Sequence, residues 1–400
     1  MKPKIVLPIV IGAWARDPFW LVNEHDYCGR EGPVRYEPRK VNEGVLLEST
    51  QILFRHGARG EHQRSKCFGG GEQTKYSCTM QTGFQLVSSS DNAWRTKQIV
   101  KHFESDSKSC SLGQMLDEGY DQVSRLSRYL RSVYGFLNEK SLDKVHLYST
   151  DTQRTMGTLS IVLSHLFPES EGPFNVNTKE LDEDYFGLNI PKCALHRKLR
   201  SEFADSQLYK RVKSSISFKK CESLWRETFG TEFEIGKSDD CLLSAKCANV
   251  AVPGTRSGGT EEAKAAAELF QCTMDASFYL KRAKLGAYKS SSYYRQGKTV
   301  CEIGSYLVFK HLKESVRKGD VGGLYAIHDE TFACILSALD VWQDSVWPKY
   351  AEFISFEFYS DNKVRIVRNG KEIALLASSL DIDSIHSDDD YNTVCGSSSI

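Results

Sequence analysis

The chain has no excess of either charge: Lys plus Arg and Asp plus Glu both number 52 in 400 residues, for a net charge of zero. No global field draws it to nucleic acid or an anionic membrane, so an anionic ligand must be held by a local cluster. Long apolar runs are missing as well. The stretch Ile5 to Ala15 is interrupted by Pro8 and falls far short of the roughly 20 residues a spanning helix needs. There is no Cys-x-x-Cys and no His-Glu-x-x-His, so no metal site and no cofactor are expected. Asn-x-Ser/Thr sequons are absent too. With 40% hydrophobic and 26% charged residues the chain is neither a disordered tail nor a small disulfide scaffold, and its length suits about two or three domains.

What is present begins at the N-terminus. Lys2 and Lys4 precede the apolar run, which ends in Ala13-Trp14-Ala15 before Arg16; residues 1–15 therefore read as a secretory signal. Twelve cysteines, an even number, fit an oxidising lumen, whether secreted, Golgi or lysosomal. Closeness in sequence suggests pairing Cys67 with Cys78 and Cys241 with Cys247, while Cys334, inside an apolar helical pattern, reads as a buried thiol.

Ser49 to Phe54 reads as a strand that stops at Arg55-His56-Gly57. Residues 60 to 110 are polar and read as a long surface excursion, with one short helical pattern near Trp94 to Phe103. From Leu112 to Leu137 the apolar positions recur every three or four residues, the mark of an amphipathic helix. Val145 to Tyr148 is a second strand, followed by the turn Ser149 to Thr152 and a helix through Met156, Leu159 and Leu163. The same grammar returns at Gly323 to Ile327, a strand ending on His328-Asp329.

This rhythm predicts an α/β fold with a mostly parallel sheet flanked by helices. The α/β domain would occupy residues 46–167 and 285–380, residues 168–284 would form an inserted, largely α-helical cap, and residues 381–400 a disordered tail. Glu352 to Tyr359 and Val364 to Arg368 read as a hairpin joined by the turn Ser360 to Lys363.

Parallel strands bring their ends to one sheet edge, which would gather Arg55, His56, Arg59, Arg154, His328 and Asp329. Converging guanidiniums repel one another unless a dianion sits among them, and their planar forks match tetrahedral oxyanions. The natural guest is a phosphate monoester. His56, between two arginines, could attack phosphorus as a neutral imidazole, and nearby cations keep it neutral. Asp329 could protonate the leaving oxygen and then activate water. Its carboxyl would have to be protonated to do so, which predicts an acid pH optimum. Glu330 is a rival for this role, whereas His62, His25 and Asp151 read as loop or cap structure, with Asp151 the N-cap of its helix.

Three segments, ILFRHGAR, YSTDTQRT and AIHDET, resemble in order and separation the motifs of the histidine acid phosphatase family, the second branch of the histidine phosphatase superfamily. The likeness covers residues 46 to about 375 and is strongest to 2-phosphoxylose phosphatase-type members. It implies His56 as nucleophile, Asp329 as proton donor, and Arg55, Arg59, Arg154 and His328 as phosphate ligands. It implies an α/β domain with a helical cap, and a metal-independent phosphatase whose partner is a phosphomonoester substrate. A phosphorylated sugar in a glycan, such as 2-phosphoxylose, is the candidate. The alternative is a pseudophosphatase that binds phosphorylated glycans or inositol phosphates without turnover. Many members carry proline where this chain has Glu61, a difference at the mouth of the site. The physiological substrate and oligomeric state are not encoded in these motifs.

Overall fold

The computed structural model describes residues 27–36, 43–62, 68, 76–90, 94–104, 110–139, 142–170, 173–190, 192–250, 252, 260–342, 346–376 and 388–396. The signal segment 1–15, His25 and Cys67 lie outside them. One nine-stranded sheet runs in the order β2-β3-β5-β4-β6-β1-β7-β8-β9. Its strands are β1 (Leu47–Arg55), β2 (Met80–Ser89), β3 (Trp94–Glu104), β4 (Val145–Ser149), β5 (Phe174–Lys179), β6 (Gly322–Ile327), β7 (Phe353–Tyr359), β8 (Val364–Arg368) and β9 (Lys371–Leu376). Only the centre is parallel: β1 and β4 flank β6, and β5 joins β4. Antiparallel pairs flank it on both sides, so the sheet is mixed rather than mostly parallel.

Central strands are buried on both faces, and their alternation divides the core in two. Ile52, Phe54, Leu147, Leu324 and Ala326 pack on one side with Val123, Leu126 and Leu130 of α1 (Asp117–Tyr134) and Leu159, Val162 and Leu163 of α2 (Gln153–Leu166). Leu53, Tyr148, Tyr325 and Ile327 face the other side, toward the remaining helices. A period of two in the strands produces this partition. α1 starts five residues after Leu112, which is exposed at 44%, because Leu116 is its N-cap.

Between β5 and β6 lie α3 (Ala194–Glu202), α4 (Gln207–Lys213), α5 (Ile216–Phe229), α6 (Ser238–Cys247), α7 (Thr260–Lys284) and α8 (Tyr294–Arg317). α9 (Asp329–Ala338) follows β6, and α10 (Asp388–Cys395) comes near the C-terminus.

Several sequence expectations are corrected. The excursion at residues 60–110 contains β2 and β3, which close one end of the sheet, and the short helical pattern near Trp94 is β3 itself. Apolar residues three or four apart also satisfy a strand when it bulges, as β2 and β3 do in their pairing. β5 lies inside the stretch 168–284 read as helical cap, yet it is a sheet strand. In the supposed tail, residues 388–395 form α10, anchored by Cys193–Cys395. Cys78 pairs with Cys110 and Cys247 with Cys28, and Cys334 is bonded to Cys301 rather than free. Pairing follows three-dimensional proximity of Cα atoms, which sequence separation does not report. Cys221–Cys272 ties α5 to α7, and Cys241 is disulfide-bonded as well.

Candidate active site

β4, β6 and β1 are neighbours in the sheet and run parallel, so the residues that follow them emerge at one edge. After β1 the chain turns through Gly57, which packs against the first turn of α1. A Cβ on Gly57 would lie 2.3 Å from the Gly119 carbonyl oxygen, and one on Gly119 2.2 Å from that of Ala58. Two glycines are needed for this approach. Gln122 Oε1 accepts the Ala58 amide at 2.8 Å and Thr158 Oγ1 the Gly57 amide at 3.3 Å, so the buried loop leaves neither donor unpaired.

His56 is 2% exposed. Its Nδ1 lies 2.8 Å from the Gly57 carbonyl oxygen, which can only accept, so the proton is on Nδ1 and Nε2 keeps its lone pair. Burial, then Arg154, Arg55, His328 and Arg59, lower its pKa well below the usual value. The imidazole is therefore neutral even in mild acid.

Arg55 is held from four directions. It donates to Pro348 O at 2.6 Å and Tyr27 Oη at 2.9 Å, pairs with Asp329 Oδ2 at 2.9 Å, and stacks with its carbon 4.1 Å from the Tyr350 ring centroid. Arg59 pairs with Asp240 Oδ1 at 2.7 Å and donates to Gly60 O at 2.8 Å. Arg154 stands in the first turn of α2, whose N-cap is Thr152 rather than Asp151. Asp151 instead pairs with Lys97 and with Arg95 of β3.

Arg154 is 8% exposed, with Nε buried and unpartnered, and it forms no ion pair among the described residues. Its pKa is lowered to about 9 by burial and then by the Arg59 charge. Among the described residues Arg55 and Arg59 each have a carboxylate at ion-pair distance, whereas Arg154 has none. His328 Nε2 bonds Thr150 Oγ1 at 2.9 Å, and burial followed by Arg154 keeps this imidazole neutral too.

The Asp329 carboxylate accepts from Trp347 Nε1 at 2.9 Å and the Glu330 amide at 3.1 Å, besides Arg55. Burial alone would raise its pKa, but Arg55 and the Trp347 hydrogen bond overcome that and hold it well below the usual carboxylate range. In the ligand-free protein the carboxyl is ionised, contrary to the expectation of an acid that waits protonated. Glu330 turns away, to Arg200 at 3.0 Å.

The edge thus brings together Arg55, His56, Arg59, Arg154, His328 and Asp329, and adds groups that sequence reasoning missed. Tyr27, Trp347 and Tyr350 support Arg55 and Asp329 but sit at no fixed offset from any motif. Asp240 comes from α6, far along the chain, and its Oδ2 also accepts the His62 amide at 2.8 Å. His62, read as bland loop, belongs to the pocket: a Cβ on Gly113 would lie 3.2 Å from both its Nδ1 and Arg154 Nη1. Among the described residues no group of three or more His, Cys, Asp or Glu side chains is placed to hold a metal ion.

An α/β sheet whose central edge gathers buried guanidiniums around a neutral imidazole has the charge and donor geometry that a tetrahedral oxyanion requires. Comparison with known proteins agrees. The model of the histidine phosphatase superfamily (branch 2) matches residues 46–231. Prostatic acid phosphatase of Mus musculus is 29% identical over 273 residues, covering 62% of this chain and 67% of that protein. The 2-phosphoxylose phosphatase 1 of Xenopus tropicalis is 23% identical over 284 residues, covering 67% of this chain and 55% of that protein. The fold is shared with the multiple inositol polyphosphate phosphatase of Bifidobacterium longum in complex with inositol hexasulfate, at a TM-score of 0.55, 12% identity and coverage of 86% of this chain and 92% of that one. Over residues 46–231 the chain is similar to the histidine phosphatase superfamily, branch 2.

Proposed function

We propose that the chain is a phosphomonoesterase of the secretory-pathway lumen that works through a phosphohistidine at His56. The observation that carries this is the pairing of a buried Arg154, with no carboxylate at ion-pair distance among the described residues, with a neutral His56 whose Nε2 lone pair is free. Arg55, Arg59, Arg154 and His328 would bind the phosphoryl oxygens. Nε2 would attack phosphorus in line, forming the P–N bond as the P–O bond to the leaving group breaks. Water would then displace the imidazole, Asp329 accepting its proton, and release phosphate.

The ionised Asp329 alters where the first proton comes from. A phosphate monoester has a second pKa near 6, so in mild acid the substrate arrives as a monoanion carrying one proton. Asp329 would relay that proton to the leaving oxygen. An acid optimum then reflects the protonation state of the substrate.

Helices α3 to α7 are read as a cap that supplies Asp240 to the pocket and shapes the leaving-group side. A sugar phosphate such as 2-phosphoxylose suits an alkoxide leaving group that needs a proton, and the xylose phosphatase relative supports that choice. The disulfides fit an oxidising lumen, and no described helix is long and apolar enough to cross a membrane.

Inhibition by orthophosphate tests the reading. Arg154→Gln should raise the inhibition constant about 10- to 100-fold, the worth of a lost charge-assisted hydrogen bond. Unchanged phosphate affinity in that variant would refute the assignment of the pocket.

A further inference from the structure

Three hydroxyls follow β4, on Thr150, Thr152 and Thr155, and they lead to the ring of His328. Thr150 and Thr155 are fully buried, so their protons need acceptors inside the protein. The Thr150 amide donates to Ala326 O at 3.1 Å, which fixes the residue beside the end of β6.

The direction of each hydrogen bond follows from the carbonyl end of this chain. Thr155 Oγ1 lies 2.7 Å from Thr150 O and 3.0 Å from Thr152 O, and a carbonyl oxygen only accepts, so the Thr155 proton points to the backbone. Its oxygen keeps two lone pairs. Thr152 Oγ1 meets one at 2.7 Å, and Thr150 Oγ1 donates to the other at 3.0 Å. With its own proton spent, Thr150 Oγ1 accepts from His328 Nε2, 2.9 Å away. The neutral His328 ring therefore carries its proton on Nε2 and a lone pair on Nδ1.

His56 has the opposite tautomer, with its proton on Nδ1 toward Gly57 O. The two ring centroids stand 5.5 Å apart, the planes at 69°. Because Nε2 of His328 is engaged by Thr150, Nδ1 is the nitrogen left for a bound phosphoryl group. A lone pair there repels a bare phosphoryl oxygen and accepts a hydrogen bond from a P–O–H.

We infer that Thr150 is a positioning residue: with Thr155 it holds His328 Nδ1 as an acceptor, so that the pocket selects a phosphoryl group carrying one proton. The inference rests on the phosphatase reading of the pocket and deepens it by naming the ionic form of substrate that is bound. The selected proton is the one that Asp329, next in the chain, would pass to the leaving oxygen.

Methylphosphonate and methyl sulfate are the probes. At about pH 5 both are tetrahedral monoanions of similar size, but only the phosphonate carries an acidic proton on oxygen. In calorimetric titrations the protein should bind methylphosphonate about tenfold tighter, the worth of one hydrogen bond in a charged site. Thr150→Val removes the acceptor of the Nε2 proton, and Thr155→Val frees the Thr150 proton for Nε2. Each change lets Nδ1 take the proton, so the preference should disappear in both, while Thr150→Ser keeps it. A role in shape alone would weaken both ligands equally, and an unchanged affinity ratio in the two valine variants overturns the inference. Nitrogen-15 spectra of the histidine-labelled wild-type protein read the tautomer with no variant: a proton on Nε2 of His328 is expected, and one on Nδ1 refutes the assignment. Binding is measured without turnover. The expected preference in a chain that hydrolyses no phosphate monoester would therefore refute the phosphatase reading alone, whereas turnover without the preference would refute this inference alone.

Discussion

Asp329 is the side chain on which charge and chemistry are most tightly joined. Arg55 orients it and holds its pKa well below the usual carboxylate range, so in the proposed reaction it would relay a proton rather than store one. The pH sign follows. A carboxyl held well below the usual range stays charged throughout mild acid, and His56, lowered well below its ordinary value, stays neutral there. Neither group titrates in the working range, so the falling limb above about pH 6 should belong to the substrate's second ionisation. Alkyl phosphates with electron-withdrawing substituents, whose second pKa is lower, should move the limb to lower pH by the same amount. Asp329→Asn should cost about 10²- to 10⁴-fold in kcat/KM on unactivated alkyl phosphates and much less on a nitrophenyl phosphate, whose leaving group departs without a proton. A limb fixed across substrates, with equal losses on both, would make Asp329 a pocket-shaping residue only.

At the level of elements, the site is joined from pieces distant in sequence. The edge at the ends of β1, β4 and β6 was legible because each strand stops at a motif, and a parallel centre brings such ends together. α6 was not legible as part of the site: nothing in Ser238–Cys247 signals that Asp240 meets Arg59, because an ion pair between loop and helix leaves no periodic trace. Of the flanking antiparallel strands, the hairpin of β7 and β8 was legible, whereas β2 and β3 were missed for a similar reason, since they are polar, irregular in register and hold little of the core. Asp240 serves Arg59 and the His62 amide with its two oxygens, so it acts as a positioning residue. Asp240→Asn should raise KM for a phosphate monoester about tenfold with little change in kcat, and Asp240→Glu should restore part of the loss. A drop in kcat with KM unchanged would instead place Asp240 in the chemical step.

For the molecule as a whole, the long-range disulfides connect the pocket to stability. Cys28 follows Tyr27, which supports Arg55, and its partner Cys247 ends the helix that carries Asp240. One bond, spanning a sequence separation of 219, staples the two supports of the arginine cluster. Cys193–Cys395, at a separation of 202, anchors only the C-terminal helix. Loops of such length are expected to contribute stability on the order of 2–5 kcal/mol each. Replacing either pair by serines should therefore lower the melting temperature, whereas only the Cys28–Cys247 variant should also weaken phosphate binding. Equal effects of the two pairs on phosphate binding would disconnect the staple from the site. None of this pairing was legible in the spacing of the cysteines, since it depends on how the fold brings remote segments together.

The central claim is that His56 Nε2 carries the phosphoryl group between substrate and water. It is tested most directly by stopping turnover with alkaline denaturant, which preserves phosphohistidine, and locating the label by mass spectrometry of the proteolysed chain. Phosphate is expected on the peptide that contains His56, absent from a His56→Ala variant that remains folded and no longer turns over. Undiminished activity in that variant, or turnover with no label at His56, would contradict it.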